Sequence, residues 1–224
     1  MVEGLTVTIC ARGGSERLPN KNILKINGLT LIELSIRQAL ELVNPENVIF
    51  SSDSSEYLGI ASNYSVQLHK RGEELSNHKC SKVDVLKTLC GEVETKYIID
   101  LDPTAPLREA KDLLGIYELL TRGKEVALGV CRMESVNPYF NMIEVKPGNL
   151  INTVGEGNYV RSQDVPDVFF ITGLIGCERE YLLTNSNMYN SDRWGVYEME
   201  EYKMYDIDTS TDYLIVKTLA EIVL

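Results

Sequence analysis

Leu5-Thr6-Val7-Thr8-Ile9-Cys10-Ala11-Arg12-Gly13-Gly14-Ser15-Glu16-Arg17-Leu18-Pro19-Asn20-Lys21-Asn22-Ile23 runs from an apolar strand straight into a glycine-containing, cationic loop. Val7 and Ile9 alternate with threonines, the pattern of a strand at the start of an α/β domain. Gly13 and Gly14 permit a sharp turn that brings backbone N–H groups close to an anion. Arg12, Arg17 and Lys21 then place three cations within ten residues. In outline this is a cradle for a polyphosphate, although a strand followed by a solvated basic turn has the same glycines and charge. Neither Gly-x-x-x-x-Gly-Lys-Ser/Thr nor Gly-x-Gly-x-x-Gly occurs in the loop, so a P-loop or a dinucleotide Rossmann site is not indicated.

The surrounding composition gives that loop its meaning. The chain of 224 residues carries a net charge of -11, which argues against a broad nucleic-acid or anionic-membrane surface. An anionic ligand must be met by a local concentration of cations. No stretch approaches the ~20 apolar residues of a membrane span, and a signal peptide is not expected; the expected location is cytoplasmic. Cys10, Cys80, Cys90, Cys131 and Cys177 are odd in number and scattered, with no C-x-x-C pair, and read as reduced core thiols. The length fits a single α/β domain spanning residues 1–224.

Beyond the loop, Ile23 to Leu42 carries Leu31, Leu34, Ile36, Ala39, Leu40 and, just beyond, Val43 at helical spacing following an Asn27-Gly28 turn, and reads as the first helix, packed on the sheet; Val48 to Asp53 is a short strand ending in small polar residues. Strands of this kind deliver side chains to a ligand crevice at their carboxyl ends; Asp53 serves either that purpose or as a helix cap. Helix 56–62, strand 65–68, helix 83–89, strand 97–101, helix 109–121 and strand 126–132 follow. Residues 137–152, with Pro138-Tyr139-Phe140 and Pro147-Gly148, read as a projecting hairpin. His69 and His78 are isolated from other ligands and read as structural. Arg71, beside Glu73 and Glu74, is on its own merits a surface cation, and Pro103, Pro106 and Leu107 have a packing role whatever else they do. In Asp206-Ile207-Asp208, strand alternation puts both carboxylates on one side, where they can converge on a hard cation. Thr209 and Asp212 cap the helix that closes the chain.

Taken whole, Ala11-Arg12-Gly13-Gly14-Ser15-Glu16-Arg17-Leu18-Pro19-Asn20-Lys21-Asn22 resembles the signature of the acylneuraminate (sialic acid) cytidylyltransferases, Ala-Arg-x-x-Ser-x-Arg/Gly-Leu-Pro-x-Lys-Asn. Four further motifs resemble that family in the same order: the Arg71 segment, Asp102-Pro103-Thr104-Ala105-Pro106-Leu107-Arg108, Arg161-Ser162-Gln163-Asp164 with Gly173, and Asp206-Ile207-Asp208-Thr209-Ser210-Thr211-Asp212. The resemblance implies a three-layer, Rossmann-like nucleotidyltransferase fold, with a mostly parallel sheet flanked by helices and a segment at about 137–165 that projects as a dimerisation hairpin in a homodimer.

It further implies that Ala11, Arg12, Gly13, Ser15, Lys21 and Asn22 hold the triphosphate of CTP, that Arg71 and Ser81 serve its cytosine end, and that Asp206 and Asp208 bind Mg2+ or Mn2+. Arg12, Lys21, Asp206 and Asp208 become the catalytic set, while Asp102, Thr104, Arg108, Arg161, Gln163 and Thr172 become candidates for the sugar-acid site. Gly72 stands where the family has proline and Ala105 where it has serine, and on the acceptor side Asp102 stands for a glutamine, Ser162 for an arginine and Thr172 for an asparagine. The acceptor-side changes imply an acceptor other than plain N-acetylneuraminate, such as a legionaminic or pseudaminic relative. The implied activity is transfer of CMP from CTP to a nonulosonic acid with release of pyrophosphate. A cytidylyltransferase for the eight-carbon acid Kdo and a non-catalytic nucleotide-binding module are the alternatives. Asn22, where Kdo enzymes tend to have proline, favours the nine-carbon group.

Overall fold

The computed structural model describes every residue except 16, 78–79, 147–149, 158 and 189–190, and for 146 and 150–153 the backbone alone. The strands are β1 (Leu5–Cys10), β2 (Lys25–Ile26), β3 (Leu29–Thr30), β4 (Val48–Ser52), β5 (Gln67–Lys70), β6 (Tyr97–Leu101), β7 (Val126–Arg132), β8 (Ile143–Lys146), β9 (Leu150–Thr153), β10 (Phe169–Glu178) and β11 (Trp194–Met199). The helices are α1 (Leu31–Leu40), α2 (Ser55–Ser62), α3 (Glu73–Ser76), α4 (Lys82–Gly91), α5 (Ala110–Thr121), α6 (Arg179–Thr184) and α7 (Ser210–Val223).

Seven strands form one sheet in the order β11-β7-β10-β6-β1-β4-β5. All run parallel except β10, which is antiparallel to both β6 and β7. Every residue of β4 and β6 is buried, as a parallel strand covered on both faces requires. The main core packs Ile32, Ile36 and Ala39 of α1 and Leu113 and Ile116 of α5 against Val7, Ile9, Phe50 and Ile99 of the sheet. Capping boxes fix helix starts, among them Thr30 with Glu33 for α1, Ser81 with Asp84 for α4, and Thr209 with Asp212 for α7. Each satisfies N–H groups that the first turn leaves open.

Several boundaries differ from the sequence expectation. Residues 25–30 form the small β2–β3 hairpin around Asn27-Gly28, so α1 begins only at Leu31. Asn27 takes a left-handed φ of 49° and Gly28 one of 83°, which is how an Asn-Gly turn closes a hairpin. The expected strand through Asp206 and Asp208 does not form: residues 205–209 are irregular, between a 3-10 turn at Glu201–Met204 and α7. Ile207 N–H donates to the Thr104 carbonyl at 2.8 Å, a backbone cross-link to another loop in place of a strand ladder. β8 and β9 pair antiparallel with each other in a separate two-stranded sheet; Pro147-Gly148, expected within this segment, lies outside the described residues.

Candidate active site

Because β1, β4 and β6 run parallel and adjacent, their carboxyl ends lie on one edge of the sheet. Each end feeds a loop of the site. After β1, Ala11 is buried and its N–H donates to Ser51 O of β4 at 3.0 Å. Gly13 N–H donates to Asp53 Oδ1 at 2.8 Å, and Asn22 Nδ2 to the Arg12 carbonyl at 3.2 Å. The loop is thus closed on itself by Asn22 and tied to the neighbouring strand end by Asp53, while Ser54 supplies the α2 cap. Asp53 therefore positions the loop. The Gly13 N–H and the Asn22 amide, expected to face phosphate, hold the loop in shape.

Arg12, Ser15, Arg17, Lys21 and Asn22 line a cleft of about 390 Å3, closed on its other side by Asp102, Pro103, Thr104 and Asp208. Asp208 is gripped by Arg17 at 2.7 Å and Lys21 at 2.8 Å. Asp206 lies deeper; burial, then the charges of Asp102 and Asp208, push its carboxyl up, opposed by a hydrogen bond with Thr104. A second cleft of about 220 Å3, sharing Cys10, Arg12 and Asp102 with the first, continues past Arg71, Ser81 and Lys82. Arg71 is anchored by donation from Nε to Ser51 Oγ at 2.8 Å and from a terminal nitrogen to Ser51 O at 3.1 Å. Together the two clefts form an elongated basin with cations along it.

A depression of about 480 Å3 lies near Gly4, Lys96 and Arg179. It sits at the amino ends of β1 and β6, the end opposite to where open α/β sheets bind ligands, and contains none of the motif residues.

The sugar-side candidates divide. Asp102 and Thr104 line the cleft. Arg108 does not: it is 2% exposed, with terminal nitrogens donating to the carbonyls of Asp102 and Ala105 and to Ser35 Oγ. Burial lowers its pKa to about 10, and its role here is to pin the 102–108 turn from beneath. Thr172 is also buried, its hydroxyl donating to Gly129 O at 3.0 Å. Arg161 is exposed and forked onto Asp164 at 2.7 and 2.8 Å. Gln163 lines a separate cleft of about 470 Å3 with Arg132, Asn137, Phe140 and Asp167. Gly173 has a packing reason, since a Cβ there would stand 2.5 Å from Asp102 Cβ, and its carbonyl accepts from Asp102 N–H at 2.8 Å.

Two residues of the basin carry no motif signal. Asp100 is 2% exposed and accepts from Thr8 Oγ1 at 2.7 Å. Lys82 bridges Asp100 at 2.6 Å and Asp102 at 2.9 Å. Burial opposes the Lys82 charge, but the two carboxylates outweigh it and hold its pKa above the usual range. Asp102 is therefore half of an ion pair, and the only sequence-level hint of this was an anion standing where a phosphate-binding basin calls for compensation. All five cysteines are free, and Cys10 and Cys80 line the basin; burial pushes the Cys10 thiol up. His69 bonds to Ser51 at 2.9 Å, and His78 lies outside the described residues.

A mostly parallel three-layer sheet with a cationic loop after its first strand, facing paired carboxylates across a cleft, defines a nucleotidyltransferase. The cytidylyltransferase family model matches residues 6–222, and the chain belongs to that family. It is 33% identical over 220 residues to the CMP-N,N'-diacetyllegionaminic acid synthase of Campylobacter jejuni and, at the same identity, to the post-translational flagellin modification protein B of Campylobacter coli, covering 95% of this chain and 93% of each relative. It is 26% identical to an N-acylneuraminate cytidylyltransferase of Streptococcus agalactiae over 92% of this chain and 51% of that protein. Among solved structures, a CMP:2-keto-3-deoxy-manno-octonic acid synthetase complexed with CTP superposes with a TM-score of 0.75 at 18% identity, covering 98% of this chain and 99% of the other. At that identity the likeness speaks for the fold.

Proposed function

We propose that the chain transfers CMP from CTP to a nonulosonic acid, releasing pyrophosphate. The observation that carries this reading is the basin itself, in which Arg12, Ser15, Arg17 and Lys21 face Asp102, Thr104 and Asp208 at the carboxyl edge of the sheet. A hydroxyl of the acid, on the anomeric carbon, attacks the α-phosphorus in line and gives up its proton to solvent water. The bond from that phosphorus to the bridging oxygen breaks, and pyrophosphate leaves with the electron pair. Such chemistry is mainly positioning and charge neutralisation. Arg12 and Lys21 meet the β- and γ-phosphates, Lys21 and Arg17 exchanging Asp208 for phosphate oxygens as the nucleotide enters.

Asp206 and Asp208 suit a small divalent cation. Asp206 Oδ1 is buried with no hydrogen-bond partner among the described residues, an arrangement that is costly unless a cation is bound. Two carboxylates, completed by phosphate and water, are a ligand set that suits Mg2+ or Mn2+. When bound there, the ion supplies charge neutralisation at the phosphates.

For the acceptor, the 33% relative named for a diacetylated legionaminic acid favours a modified nonulosonic acid over N-acetylneuraminate. The Kdo alternative is supported by fold likeness alone. The site also belongs to a homodimer in this reading. Phe140, Ile143 and Val145 on the projecting segment and Phe169, Phe170 and Ile171 on β10 are all more than a third exposed, and an apolar surface of that kind calls for a partner. Free cysteines suit a reducing cytoplasm, and no described helix is long and apolar enough to cross a membrane. Pyrophosphate release from CTP that requires an added nonulosonic acid tests the reading.

A further inference from the structure

We propose that Lys82 is a catalytic residue that contacts the α-phosphoryl group of bound CTP, a proposal that rests on the cytidine-nucleotide reading above. Three observations converge on it. The first is position. The cleft holding Arg71 and the cleft holding Lys21 share Cys10, Arg12 and Asp102 as a common boundary. A nucleotide with its cytosine at Arg71 and its terminal phosphates at Lys21 must cross that boundary with its ribose and α-phosphoryl group, and Lys82 is bonded to the boundary residue Asp102.

The second observation is how Lys82 is held. Its ammonium is shared between Asp100, buried and also bonded by Thr8, and Asp102, which is 36% exposed. An entering phosphoryl oxygen can displace Asp102 alone: Asp100 keeps both of its partners and Lys82 keeps a buried counter-charge. Lys21 and Arg17 are held in the same way on Asp208, so the cations at both ends of the phosphate path rest on partly exposed carboxylates that a phosphate can replace.

The third is the helix start. Lys82 is the first residue of α4, a helix of 10 residues. Ser81 Oγ is spent on the capping box, accepting from Asp84 N–H and donating to Asp84 Oδ2. Lys82 is therefore the cation that this helix start presents to the cleft. As the acceptor oxygen bonds to the α-phosphorus and the bridging bond breaks, the ammonium stabilises the charge on the non-bridging oxygens. No proton leaves Lys82.

The test is calorimetric titration of the full chain with cytidine, CMP and CTP, for wild type, Lys82→Gln, Lys82→Arg and the double variant Lys82→Gln with Asp100→Asn. The double variant removes the buried one of the two carboxylates that Lys82→Gln deprives of their cation, Asp100, and carries the test if the single variant folds poorly. Cytidine, which has no phosphate, is expected to bind Lys82→Gln and the double variant as it binds wild type. CMP binding should weaken by about tenfold or more in both, while Lys82→Arg retains most of it. Equal weakening of cytidine and CMP, or unchanged CMP binding in both variants, would overturn the proposal. A wild type that binds none of the three ligands would overturn the nucleotide reading first, and this proposal with it.

Discussion

Asp208 carries two cations in the structure, Arg17 and Lys21, and in the proposed reaction it must release both while taking part in binding a divalent cation. Asp208→Asn keeps the side-chain size and removes the charge. The partners are partly or largely exposed, with Arg17 at 70%, so the folding cost should stay within about 1 kcal/mol. Turnover should fall by about 100-fold or more; full turnover in a folded Asp208→Asn protein would remove the metal assignment. At this scale the sequence was legible where a motif fixed both residue type and spacing, as in Arg12, Ser15 and Lys21, which do line one cleft. It was not legible where a charged side chain turns inward. Arg108 carries the charge of a carboxylate-binding residue, yet it lies under the surface because the carbonyls of the 102–105 turn need donors. Asp102 appeared as a lone anion because its partner Lys82 stands twenty positions earlier, and only the fold brings α4 to the end of β6.

At the scale of elements, the segment bearing Asp206 and Asp208 is held from its amino end by Lys203. This side chain is fully buried, pairing with Glu109 at 2.7 Å, Asp112 at 2.8 Å and Glu200 at 2.7 Å. Lys111 joins Glu109 and Glu200 from outside. The 3-10 turn at Glu201–Met204 is thereby fastened to the start of α5. Lys203→Met strands the fully buried Asp112 carboxylate and should cost about 3–5 kcal/mol in denaturant unfolding; a loss below about 1 kcal/mol would mean the network is not structural. Glu200 is held down to about 2, by Lys111 first and then Lys203. Its folded pKa lies below the ordinary carboxylate value, so its contribution is present above that value and is lost as pH falls through the folded one. A lysine in a polar stretch reads as surface, which is why this tie was invisible beforehand. The strand expected through Asp206 and Asp208 failed for a related reason: alternation of Asp and Ile mimics a strand, but among the described residues the segment's backbone meets the Thr104 carbonyl of a loop and builds no ladder.

For the whole molecule, the buried parallel strands were legible because continuous apolar runs such as Val126–Arg132 leave few other readings. The edge strand Trp194–Met199 was not, since it interrupts its apolar residues with a glycine and an exposed glutamate. The reversed direction of β10 also has no local signature. The exposed apolar residues on the projecting segment and β10 predict sedimentation at twice the chain mass at micromolar concentration. A monomer under those conditions would show that the projecting segment has another use.

The central claim is most directly tested by pyrophosphate release from CTP, measured with no acceptor, with N-acetylneuraminate, with N,N'-diacetyllegionaminate and with Kdo. Release is expected only when a nine-carbon acid is present, with the highest kcat/KM for the legionaminic acid. Preference for Kdo, or no release with any of the three acids, would contradict it.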